Sequence, residues 1–575
     1  MDIMAVAISD KKSSSVSQSE NRSPDGQTLQ TGERDNFVAW HQRTIVVALA
    51  SALLLWMSFP PLGFWPLAWI APVGWLYLIR VPRLSGRRPY LHLWIVGAVH
   101  WLVLFQFVRI PHIALYFGWF VLAAYLGIYL PLFVAMSRVA VHRFGISSIL
   151  AAPTVWVGLE LLRGHLFSGL SMALLGHTQV ELPIVIQISD LAGAYGVSFV
   201  VMLVAASLVR MVPLGKQRLS WWPGLVAVIA LAAVIGYGNY RLNELPSDSS
   251  DGRVLRVALI QGSIDTIFDL TEEEADESIR QSFTQYRELT VKAQKDHPNL
   301  DLVVWPESKF PVPDVITAED VAHIDSNKST DRPTPQEFIQ CVMIAKGLNE
   351  FDLDPHFQML VGTQTFIDGQ QRPTILNSAL LLDSDGEIES RYFKMHRVPF
   401  GEYIFFGDLM PWIYNLTPMR IGLTPGKRPQ SFEVAGMRMA PNVCFESTVP
   451  HVIRRQIAQL TAEGSEPDFL VNISNDGWFF GSSCLDHHLV CSVFRSVENR
   501  KPMLIAANTG FSAWVDGSGR VLKKGPRRDT DVIYAEAQPD GRRSLYRSIG
   551  DWPALLCLVF CLVCAIGGIR RGSVA

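Results

Sequence analysis

The chain has 575 residues, 49% hydrophobic and 18% charged, with a net charge of −3 and a mean hydropathy of +0.21. That length predicts at least two domains, and the hydropathy is too high for a soluble protein of this size. The small net charge gives no reason to expect nucleic acid as a partner, and seven cysteines, three of them in one apolar run, argue against a disulfide scaffold.

In chain order, the first 36 residues, including KKSSSVSQSENRSPDGQ, are polar and aperiodic. They predict a disordered tail over about 1–40 and lack the charged-then-apolar order of a signal peptide. Apolar runs long enough to cross a bilayer, about 20 residues each, then dominate. Eight spans are expected, over 44–59, 63–80, 91–109, 112–136, 147–163, 192–212, 221–240 and 552–569. Basic clusters follow alternate spans: Arg80, Arg83, Arg87 and Arg88; Arg138, His142 and Arg143; Lys216 and Arg218; Arg570 and Arg571. Loops rich in Lys and Arg stay cytoplasmic. A membrane α-helical bundle over 41–241 is therefore expected, closed by a last helix at 552–569, with both termini inside and the segment between them outside.

That segment, 253–540, reads differently. RVLRVALIQ, DLVVWPES, FQMLVGTQTF, TILNSALLLD, PDFLVNISND and MLIAANTG are strand-like, several of them apolar enough to be buried on both faces. Helical stretches alternate with them at about 271–295, opened by a Thr271–Glu274 capping box, and at 334–349, 449–463 and 486–499. The alternation predicts a layered α/β domain.

Three strand-like runs there end on a chemically useful side chain: Glu307 in VVWPES, Lys394 in YFKMHR and Cys444 in APNVCFES. Taken singly these are a solvated loop acid, a surface cation and a small packed thiol. Together they form a set. A thiol needs a base to become a nucleophile, and a carboxylate can serve. An ammonium favours thiolate and then stabilises charge on a carbonyl oxygen, with the Phe445 backbone N–H as a second oxyanion donor.

VVWPES, the Lys394 segment and NVCFES, in that order, resemble the Glu–Lys–Cys motifs of the nitrilase (carbon–nitrogen hydrolase) superfamily, which implies an α-β-β-α sandwich. Its insertion between seven spans and a closing one resembles, more narrowly, the apolipoprotein N-acyltransferase family. YFKMHRVPFGEY with Glu402, GLELLRG at 158–164 with Glu160 and Arg163, NDGWFFGSS at 475–483 followed by His488, and SIGDWP at 548–553 carry the same resemblance.

It implies a bacterial inner-membrane enzyme whose Cys444 takes an acyl chain from a phospholipid and passes it to the N-terminal amine of a diacylated apolipoprotein. Glu307 would be the general base and Lys394 the stabiliser of both tetrahedral intermediates. Glu402 would orient Lys394 or Cys444, and Glu446 would be a further acid. No metal or organic cofactor is implied, and no nucleic acid. The chain departs from the family pattern in QGSIDTIFDL, with Ser263 and Leu270, in GLSM at 169–172, in His487-His488-Leu489, and at Phe480, where a glycine is usual.

Three further groups have plainer readings. Adjacent His487 and His488 with Asp486 lack a third partner at zinc spacing and are expected at a helix start or loop. Cys484 and Cys491 are expected as structural thiols, and Cys557, Cys561 and Cys564 as a packing stripe on the last span. Glu160 and Arg163 fit a functional pair or a self-neutralising one equally. His100, His177 and Asp190 receive no role. The three motif residues also fit a membrane-tethered amidase with water as acceptor, whereas a catalytically inactive membrane scaffold has no need of all three.

Overall fold

The computed structural model describes residues 44–214, 219–246, 252–267, 270–311, 313–317, 356–368, 374–407 and 422–569, with isolated positions between 318 and 415. The tail over 1–40, the helix expected at 334–349 and four of the basic residues (Lys216, Arg218, Arg570 and Arg571) lie outside the described residues.

The helical region comprises α1 (Thr44–Ser58), α2 (Val73–Arg80), α3 (Pro89–Leu104), α4 (Leu115–Gly127), α5 (Tyr129–His142), α6 (Ser148–Arg163), α7 (Ser189–Met211) and α8 (Trp222–Asn243). Among the described residues four stretches are long and apolar enough to cross a membrane: Leu115–His142, Ser189–Met211, Trp222–Asn243 and the closing helix Trp552–Ile569. The expected count of eight is thus met by length in four cases. The 44–59 run gives only the 15-residue α1. The 63–80 run breaks into a 3₁₀ turn, Trp65–Trp69, and the eight-residue α2, because Pro66 and Pro72 interrupt the i→i−4 ladder. Pro131 removes an N–H in the same way at the junction of α4 and α5.

Helix ends gather in two sets. Arg80, at the end of α2, donates to the Val209 and Val212 carbonyls at the end of α7. Arg138 and His142 of α5 reach the carbonyls of Leu78, Val81, Pro82 and Ile79, and Arg143 reaches Gly567. At the opposite ends, Phe59 and Phe105 stand 6.1 Å from the His487 ring, and His165 stacks on His451 at 4.3 Å.

The remaining chain forms two sheets. The first has the order β13 (Asp531–Ala537), β1 (Leu255–Gln261), β2 (Leu302–Val304), β4 (Gln358–Asp368), β5 (Thr374–Leu382), β6 (Ile388–Phe393), with β3 (Asp314–Thr317) on β4, and the second β12 (Val521–Lys524), β11 (Ala513–Val515), β10 (Met503–Ala507), β9 (Phe469–Ser474), β8 (Met437–Val443), β7 (Phe432–Val434). Strands β1 (Leu255–Gln261), β2 (Leu302–Val304) and β4 (Gln358–Asp368) run parallel, as do β8 (Met437–Val443), β9 (Phe469–Ser474) and β10 (Met503–Ala507). Strand alternation explains the layers. In β1, Val257 and Leu259 face the seam between the sheets, where they join Val304 and Leu360 with Met439, Val471 and Leu504. Ala258 and Ile260 face outward onto Tyr286 and Ala293 of α9 (Glu272–Asp296), which opens with the expected Thr271–Glu274 capping box.

The second sheet's outer face packs on α10 (Pro450–Ala462) and α11 (Cys484–Asn499). Those helices bury Ile453, Ile457, Phe494 and Val497 in one cluster with Leu161, Val197 and Val201 of the helical region. The chain then enters α12 (Trp552–Ile569). The architecture is an α-β-β-α sandwich whose outer layer on one side shares its core with the membrane helices.

Candidate active site

Glu307 follows β2 and Pro306 by a short loop and is only 6% exposed, not a solvated loop acid. The loop fits because Gly362 lies beneath it: a Cβ there would stand 2.5 Å from the Glu307 Cα. Glu307 Oε1 accepts from Asn377 Nδ2 at 2.6 Å and Lys394 Nζ at 3.3 Å, and Oε2 from the Asn475 N–H at 2.9 Å.

Lys394 follows β6 (Ile388–Phe393) and is 2% exposed, not a surface cation. Its N–H continues the ladder to the Asn377 carbonyl at 2.8 Å, and its Nζ donates to Glu402 Oε1 at 2.7 Å. Of the two partners anticipated for Glu402, then, it contacts Lys394. Burial opposes the ammonium, but Glu307, Glu402 and Cys444 together hold its pKa well above the ordinary lysine value.

Cys444 stands at the end of β8 with φ +51°, in the left-handed region that non-glycine residues rarely occupy and that recurs at functional corners. Burial and the neighbouring Glu307 carboxylate push its thiol well above the ordinary cysteine value; Lys394 and a Ser474 hydrogen bond pull the other way without prevailing. The thiol therefore rests protonated.

Glu446 is fully buried. Its carboxylate accepts from the backbone N–H groups of Val443 at 2.7 Å, Met395 at 2.8 Å and His396 at 2.9 Å, and from the Tyr392 hydroxyl at 2.9 Å. One side chain thus ties the cysteine loop to the lysine loop.

Sequence reasoning passed over two groups. Asn377 donates to both Glu307 and Glu402; its signal was a lone amide inside the apolar run TILNSALLLD. The other is Asp476, whose Oδ1 lies 2.7 Å from His488 Nδ1. A His488 ring nitrogen, an Asp476 oxygen and the Cys444 Sγ all lie within 4.8 Å of one another. The helix-start position expected of His487 and His488 is the one observed, at the beginning of the helix Cys484–Asn499, while the two groups that His488 meets follow β9 and β8, distant in sequence. Asp476 and His488 stand at ion-pair distance from each other, so they read as a dyad. A second cluster, His165, His451 and Asp551, likewise brings one ligand atom from each residue within 4.8 Å of the others, with the two rings stacked 20° from parallel.

Asp190, which had no expected role, accepts from the Tyr237 hydroxyl at 2.7 Å and Arg500 at 2.5 Å and forms an ion pair with Arg241 at 2.8 Å. Glu160 accepts from Trp156 and the Leu175 N–H, and Arg163 lies 4.7 Å over Trp101. Both also line an apolar cavity between helices, with His100 and Tyr129. Ser263 and Phe480 both adopt positive φ.

Two protein families match the chain: the apolipoprotein N-acyltransferase N-terminal domain over residues 51–207 and carbon-nitrogen hydrolase over 256–547. The apolipoprotein N-acyltransferase of Rhodopirellula baltica is 32% identical over 549 residues, covering 88% of this chain and 93% of that protein. The chain belongs to the apolipoprotein N-acyltransferase family. The Geobacter metallireducens member is 31% identical, covering 94% of this chain and 98% of its own length. A carbon-nitrogen hydrolase from Helicobacter pylori is 16% identical with a TM-score of 0.34, over 53% of this chain and 94% of its own. The protein is accordingly a multi-pass membrane acyltransferase for lipoproteins with a nitrilase-like sandwich.

Proposed function

We infer that the protein carries an acyl chain from a phospholipid, through a thioester on Cys444, to the N-terminal amine of S-diacylglyceryl cysteine on apolipoproteins. What carries this reading is the meeting of Glu307, Lys394 and Cys444 from the ends of β2, β6 and β8 in one buried site. Because the thiol rests protonated, attack requires a base, and Glu307 is the carboxylate that takes the proton and returns it to the departing lyso-lipid alcohol. Lys394, kept charged by its acidic neighbours, and the Phe445 N–H stabilise the oxyanion; such a donor supplies about 3–4 kcal/mol. Glu402 and Asn377 hold Lys394 and Glu307 in place, and Glu446 holds the two loops in register.

The topology proposed is eight passes, with domain bounds at 41–241, 253–540 and 552–569, both termini cytoplasmic and the sandwich periplasmic. Supporting it, the ends bearing Arg80, Arg138 and Arg143 meet on one side of the bundle, and the ends carrying Phe59, Phe105 and His165 meet the sandwich on the other. This arrangement sets the thiol near the lipid headgroups, where ester and amine are presented.

Purified protein incubated with labelled phospholipid should form an acyl adduct on Cys444, which a diacylated lipopeptide discharges as an amide. Cys444→Ser should abolish the adduct while leaving membrane insertion intact. Discharge to water alone would point instead to an amidase, and normal turnover by the serine variant would refute the nucleophile.

A further inference from the structure

We propose that His488, oriented by Asp476, is a second acid–base residue dedicated to the amine-accepting half of the reaction. The inference rests on the reading of Cys444 as the acylated thiol.

Proton accounting motivates it. In the first half-reaction one proton leaves the thiol and one joins the departing alcohol, which a single carboxylate can shuttle. In the second, the acceptor arrives as an ammonium, since an α-amine titrates near pH 7.7–8.0. It loses one proton before attack and a second as the C–N bond forms. Only one proton is used, by the sulfur when the C–S bond breaks; the other goes to solvent. Glu307 is poorly placed to take both, because its oxygens already accept from Asn377, Lys394 and the Asn475 N–H.

His488 is the other base at the sulfur. It is 9% exposed and sits on the first turns of α11, and its Nδ1 lies 2.7 Å from Asp476 Oδ1. A carboxylate beside Nδ1 favours the tautomer protonated there, which leaves the Nε2 lone pair to accept a proton. Asp476 is itself held, accepting from the Ser474 hydroxyl at 3.2 Å, and Ser474 also bonds the Cys444 thiol. Ser474, Asp476 and His488 thus form a connected path on the second-sheet side of the sulfur, whereas Glu307 and Lys394 approach from the first sheet. The adjacent His487 turns away, onto Phe59, Phe105 and Phe107 of the helical region. In the proposed step, Nε2 takes a proton from the attacking nitrogen; the tetrahedral adduct collapses to amide, and the imidazolium returns that proton to the leaving sulfur. Thioester and amine become amide and thiol.

The test separates the halves in single turnover with the whole purified protein: labelled phospholipid alone, then a chase with synthetic diacylated lipopeptide. For His488→Gln, labelling of Cys444 is expected within about threefold of the unmodified protein, and discharge about 100-fold slower, the lower range for a lost general base. For His488→Ala, added imidazole should restore discharge about tenfold, which a purely structural role would not allow. Asp476→Asn should slow discharge less than His488→Gln does, and serves if the histidine variants misfold. Equal slowing of both halves, unchanged discharge, or no imidazole rescue in a variant that labels normally would overturn the assignment. Absence of label on Cys444 in the unmodified protein would instead sink the thioester reading, and this proposal with it.

Discussion

Between the two sheets, Val257, Leu259 and Val304 meet Met439, Val471 and Leu504 in a seam filled by strand alternation. Where the sandwich meets the helices, Asp190, Arg241 and Arg500 are buried together, beside Arg495 and Glu498 at 2.8 Å. The seam is non-directional: any apolar set of matching volume would close it. The joint is directional, because a buried charge must meet its own partner. The difference assigns them separate tasks. The seam stabilises the sandwich, and the joint fixes where the sandwich, and Cys444 with it, sits on the bundle.

Four substitutions break or sharpen that contrast. Asp190→Ala leaves Arg500 buried without its carboxylate and Arg241 with Glu244 alone, and should cost about 3–5 kcal/mol of unfolding free energy; a loss no larger than that of a surface change would end the directional account. Leu360→Ala in the seam should cost about 2–5 kcal/mol, yet acyl transfer by the remaining folded protein should stay near normal. Glu446→Gln removes two acceptor sites from a clamp with four donors, which should cost about 1–3 kcal/mol. It should also slow acylation of Cys444 more than its effect on melting suggests, because the two loops lose their mutual register. Arg428→Ala removes a half-exposed pair with Glu463 and should change stability by less than about 0.5 kcal/mol, the baseline for the other three.

The parts legible in the sequence are those that a local pattern encodes. Pro306 after an apolar run, the apolar run of β8 ahead of Cys444 and the Thr271–Glu274 box each declare an element boundary within a few residues. The four long apolar helical stretches announce themselves by length. What escaped depends on tertiary apposition. Asn377 is one amide in β5 (Thr374–Leu382), and only the loops that follow β2 and β6 bring it two carboxylates, Glu307 and Glu402. Asp476 and His488 are 12 positions apart on different elements, and Cys444 is farther still. Asp190 meets Arg500 across 310 residues, a separation over which no periodicity operates.

The cluster that joins Ile453, Phe494 and Val497 to Leu161 and Val201 also governs how this enzyme can be handled. A fragment cut at residues 253 and 540 would carry a bared greasy flank together with orphaned ionic partners. Such a piece should precipitate or require surfactant even though its strands are complete. Structural work and inhibitor screening therefore call for the intact polypeptide in a micelle or nanodisc.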